Sequence, residues 1–77
     1  MREEDRQKFV QLANKRVSKV LHDLQLIGNL SNRSNYNYTD EDVAKIFRAI
    51  NGEVKACRKR FDLALNTKET SQFSLDD

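Results

Sequence analysis

Apolar residues recur early in the chain at Val10, Ala13, Val17, Val20, Leu24 and Ile27. The steps alternate between three and four residues, which keeps the set on one face of an α-helix. Phe9, Leu12 and Leu21 widen that seam. Glu3, Glu4 and Asp5 come before it, and carboxylates favour the positive end of a helix dipole. Gly28 follows it, where a left-handed glycine commonly ends a helix. The pattern predicts a helix over about residues 3–27.

A second apolar set runs through Val43, Ile46, Ile50, Val54, Cys57, Phe61 and Leu65, flanked by Phe47 and Ala64. Its start is well marked. Thr39 is a good N-cap, because its hydroxyl can accept from a first-turn backbone N–H. Asp40, Glu41 and Asp42 then suit the dipole. Tyr38 and Val43 stand at the spacing of a hydrophobic staple. The phase continues across Asn51 and Gly52, so one helix is predicted over about 40–65. A glycine in a helix interior costs about 1 kcal/mol, which makes Gly52 a weak joint and a break there the alternative. Residues 67–77 are polar and aperiodic, and are expected to form a flexible tail.

The predicted fold is therefore all-α, a helical hairpin domain over 1–66 with a connecting loop at 28–39. Composition agrees, with no proline and only two glycines in 77 residues. A chain of this size buries too little to be well stabilised alone, and small domains compensate with disulfides, metals or oligomerisation. The single cysteine excludes an internal disulfide, and one His with one Cys excludes a His/Cys zinc site within the chain. Two seams wider than one partner helix covers point to a homo-oligomer, a dimer closing a four-helix bundle.

The loop is longer than the usual helix-to-helix connection of about 2–8 residues. It is rich in asparagine and serine, whose side chains bond to nearby backbone and build compact turns. Within it Asn29, Asn32, Arg33, Asn35 and Tyr36 form a candidate partner-binding surface, since Arg and Tyr are common contact anchors. The competing reading is structural, with these residues capping the adjoining helix ends.

Charge adds a second candidate surface. The chain carries 14 basic and 12 acidic groups, net +2. Residues 1–66 hold 13 basic against 9 acidic groups, net +4. On the first helix Lys8, Lys15 and Lys19 share a face, with Arg16 nearby. On the second, Lys45, Arg48, Lys55 and Lys59 lie opposite the seam. Lys15/Lys19 and Lys55/Lys59 are like-charge pairs four residues apart, which cost a few tenths of a kcal/mol each unless an anion offsets them. Lys15, Arg16, Lys19, Arg48, Lys55 and Lys59 are the candidate nucleic-acid contacts. The plainer reading is a solvated face that keeps an oligomer soluble. Glu4–Lys8 and Glu41–Lys45 have the spacing of ordinary surface ion pairs.

The residues argue against an enzyme. His22 lies away from the seam, Cys57 falls within it as a small buried apolar residue, and no nucleophile–base pairing or glycine-rich phosphate loop is present. No catalytic, cofactor or metal residues are expected. The chain lacks an apolar stretch long enough to span a bilayer, and no secretory signal is visible. With one thiol, this fits a cytoplasmic setting. The three N-x-S/T matches at Asn29, Asn32 and Asn37 are then accidents of the loop composition.

The stretch Leu26-Ile-Gly-Asn-Leu-Ser-Asn-Arg-Ser-Asn-Tyr-Asn-Tyr-Thr39, followed by acidic residues and Lys45-Ile-Phe-Arg-Ala, resembles a group of short bacterial and mobile-element helical proteins. The resemblance spans about residues 8–61. It implies a bacterial or phage setting and brings no activity with it. The expected function is that of a small non-enzymatic regulatory protein. It would bind a larger protein or nucleoprotein, as an accessory subunit or a phage-type inhibitor does. Direct nucleic-acid binding through the basic helix faces is the alternative.

Overall fold

The computed structural model describes residues 3–72, and their side chains as far as Asn66. It is all-α, with α1 at Glu3–Asn29, α2 at Asp40–Gln72, and no strand among the described residues. Two units make up the chain, Met1–Asn37 with α1 and Tyr38–Asp77 with α2. The helices hold 27 and 33 residues. At about 1.5 Å per residue they are roughly 40 and 50 Å long. No helix among the described residues is long and apolar enough to cross a membrane.

The start of α1 follows the acidic signal, with Glu3, Glu4 and Asp5 in its first turn. Its end differs from expectation. Gly28 is helical, and no described residue has a positive φ. The helix closes by tightening instead. The N–H groups of Leu30, Ser31 and Asn32 donate to the carbonyls of Ile27, Gly28 and Asn29, at 3.0, 3.0 and 3.5 Å. These are i→i−3 bonds of the 3₁₀ type, which serve the last carbonyls of a helix without a left-handed residue.

The start of α2 is a reciprocal cap. The Asp42 N–H donates to Thr39 Oγ1 at 3.1 Å, and the Thr39 N–H donates to Asp42 Oδ2 at 2.9 Å. Two donors that would otherwise lack intrahelical partners are satisfied by one pair of side chains. Val43 N–H then donates to the Thr39 carbonyl at 3.2 Å, the first helical bond. Tyr38 and Val43 are both half-buried, as the staple spacing requires.

For α2 one expectation holds and one is corrected. The helix passes through Gly52 without a break, as the continuous apolar phase predicts. It also continues seven residues beyond Leu65, so 67–72 are helical where a flexible tail was expected. Residues 73–77 of that expected tail lie outside the described ones. The physical reason is the same in both places. Each helical residue added to a formed helix contributes a hydrogen bond, whereas starting a new helix is costly. Residues 53–72 contain neither glycine nor proline to stop the propagation.

Among the described residues none is buried. Val10, Ala13 and Ile27 in the α1 seam, and Val43 and Ile50 in the α2 seam, are half-buried. Val17, Val20, Val54, Phe61 and Leu65 are exposed, Leu65 by 65%. Cys57 is also exposed, contrary to its expected burial. Its place in the seam is unchanged.

Candidate functional site

Three surfaces stand out: the turn after α1, the basic sides of the helices, and the apolar seams. In the turn, Asn32 is the organiser. Its Oδ1 accepts from the Ser34 N–H at 2.9 Å. Its backbone carbonyl accepts from the N–H groups of Asn35 and Tyr36, at 3.1 and 3.0 Å. One asparagine thus holds the backbone of 32–36 in place, the competition for local backbone donors that makes this residue frequent in turns. Of the five loop residues singled out from sequence, Asn29 is the last residue of α1, and its carbonyl is engaged with Asn32. Asn32 is committed to the turn. Arg33, Asn35 and Tyr36 are carried on that turn with exposed side chains, Tyr36 by 48%.

The basic candidates all lie on the helices and are exposed. On α1, Lys19 Nζ pairs with Asp23 Oδ2 at 3.2 Å, which offsets part of that cluster's charge. Lys15 falls on the same side, while Arg16 is turned about 100° from Lys15 by the helical repeat. Leu12 and Leu26 also fall on this side and are exposed, so the α1 face mixes charge with apolar surface.

The α2 side is more regular. Lys45, Arg48, Gly52, Lys55 and Lys59 follow steps of 3, 4, 3 and 4. That spacing puts them in one line along the helix, opposite the apolar seam. The line covers fourteen steps, about 21 Å at 1.5 Å per residue. No acidic residue interrupts it between Lys45 and Lys59, while Glu41 and Asp62 stand in phase at its two ends. Among the described residues, the ion pair on this helix is Arg58 Nε with that Asp62 Oδ1 at 3.2 Å. The Glu4–Lys8 and Glu41–Lys45 pairs expected from the spacing are not among the described ion pairs.

Sequence reasoning missed Gly52 as part of this surface and treated it as a flaw in the helix. The signal was available, because Gly52 is in phase with the four cations. Among the described residues a Cβ built at Gly52 meets nothing within 4 Å, so no contact there calls for glycine.

The seams form the third surface. A shallow depression at the α2 seam is lined by Cys57, Arg60, Phe61 and Ala64. His22 is exposed on α1, and no cluster of three or more His, Cys, Asp or Glu side chains suited to a metal occurs among the described residues. No protein-family model, curated protein or solved structure matches the chain.

Proposed function

We propose that this chain is a non-enzymatic helical interaction protein. Its apolar seams pair with those of a second copy, and the resulting bundle presents the Asn32 turn to a larger protein or nucleoprotein partner. One observation supports this most directly: two long helices carry apolar seams, yet no described side chain is buried. Burying a Val, Leu, Ile or Phe is worth about 1.5–3 kcal/mol each. Seams left in water forgo that stabilisation, and conformational entropy then opposes holding either helix. Association supplies the missing burial, so folding and binding are one event.

The turn fits the recognition role because its backbone is already ordered by Asn32, while Arg33, Asn35 and Tyr36 are exposed on it. A pre-ordered contact surface loses less entropy on binding. The reading of a regulatory or accessory protein follows from this division of labour between scaffold and turn.

The test has two arms. Sedimentation equilibrium should give a mass of at least twice the 9.0 kDa of one chain. A partner captured by the wild-type chain from a nuclease-treated bacterial lysate should be lost with Arg33→Ala/Tyr36→Ala, at unchanged mass and helicity. A monomer that is stably helical across the micromolar range would overturn the first half. Undiminished capture by the double variant would overturn the second.

A further inference from the structure

We propose that the Lys45–Arg48–Gly52–Lys55–Lys59 line of α2 is a docking line for the phosphate backbone of duplex nucleic acid, with Gly52 as the point of closest approach.

The charge pattern carries the first part. Four exposed cations follow one another along about 21 Å without an intervening carboxylate. Lys55 and Lys59 are neighbours on the helix surface, and like charges there repel by a few tenths of a kcal/mol. The arrangement costs stability in the free chain, and neither Lys55 nor Lys59 is in the ion pairs of the described residues. A linear polyanion removes that cost. Duplex DNA presents one negative charge per about 1.7 Å of axis, about three times denser than four cations over about 21 Å, so a phosphate lies within reach of every cation in the row.

Gly52 carries the second part. It sits in the middle of the row, in a helix interior, where glycine is about 1 kcal/mol worse than alanine. Among the described residues, a Cβ there meets nothing within 4 Å beyond the helix's own backbone. Glycine at such a place lets another backbone approach closely. Here that is the sugar-phosphate chain, with cations on both sides of the contact.

The position of the seam separates this occupant from a lipid surface. A helix lying on a membrane buries its apolar face in the lipid and keeps its cations at the headgroups beside that face. On α2 the apolar seam and the cation line are on opposite sides. A bilayer touching the cations would leave the seam in water. A bundle that occupies the seams leaves the cation line facing outward, so the inference rests on the proposed association in that one respect.

The experiment uses the full chain, a mixed-sequence 24-base-pair DNA duplex and fluorescence anisotropy at several salt concentrations. With four phosphates neutralised per chain, affinity should fall about a hundredfold or more between 50 and 200 mM salt. Lys55→Gln/Lys59→Gln should lower the salt slope by about 2 per chain. Lys15→Gln/Lys19→Gln should change it less, because Lys19 is already paired with Asp23. Gly52→Gln should make the helix more stable to heat yet weaken duplex binding at least tenfold. Circular dichroism and sedimentation on each variant separate failure of this proposal from failure of the association. Salt-independent binding would overturn the proposal. So would equal losses from the α1 and α2 pairs, or Gly52→Gln binding as tightly as wild type. Equal, equally variant-sensitive binding to phosphatidylserine vesicles or to polyglutamate would overturn the nucleic-acid assignment.

Discussion

Truncating Phe61 to alanine tests the association most directly. Phe61 lies in the α2 seam and is 53% exposed in the single chain. A phenylalanine side chain offers roughly 200 Å² when fully extended in water. About 100 Å² is therefore left for a partner to cover. Allowing for the Cβ that alanine keeps, about 75 Å² is lost, or about 2 kcal/mol at 25–30 cal/mol per Å². A symmetric dimer contains the residue twice, so the dissociation free energy should fall by about 4 kcal/mol. That is nearly a thousandfold in Kd, at 1.4 kcal/mol per tenfold. Sedimentation velocity over a concentration series reads it directly. Helical circular dichroism should decline with the dimer, because folding and association are coupled. Leu63→Ala is the matched control. Leu63 is as exposed as Phe61, at 55%, but two residues on it lies about 200° around the helix, away from the seam. If Phe61→Ala and Leu63→Ala shift Kd equally, or Phe61→Ala shifts it by less than threefold, the seam is not the association surface.

Thr39→Ala removes one half of the reciprocal cap and should cost about 1 kcal/mol. Asp42→Ala should cost a comparable amount, and the double variant less than the sum, because both remove the same device; urea titration of all three measures it. Cys57 should react slowly with a water-soluble maleimide in the assembled state, and rapidly when dilution or Phe61→Ala exposes the seam; equal rates would place it outside the interface. Gly52→Ala should stabilise α2 by about 1 kcal/mol in thermal unfolding, since added volume at that position meets nothing in the chain. Asn32→Ala should leave helicity unchanged but weaken partner capture, by releasing the N–H of Ser34 from its side-chain acceptor.

Much of the molecule is legible from its residues alone. The two seams are written in steps of three and four, and the Thr39 cap is written in a four-residue string, because helix phase and capping depend on near neighbours in sequence. The sites where local reasoning failed share a cause. Gly28 was read as a left-handed stop and Thr67 as the start of a tail, each judged on its own preference. In the structure each is decided by the helix already formed beside it, whose next hydrogen bond outweighs the local cost. Asp42 was read only as a dipole-favouring charge, and the structure shows its carboxylate closing the cap. The loop residues sort the same way: sequence marked Asn29, Asn32, Arg33, Asn35 and Tyr36 as one set. Hydrogen bonds single out Asn32 as the residue that holds the turn, with Arg33, Asn35 and Tyr36 exposed on it. The helices, their phase and their apolar faces were thus determined by sequence. The folded structure decided where each helix ends and which side chain holds the turn. Those outcomes follow from competition among hydrogen bonds, which no residue's own preference encodes.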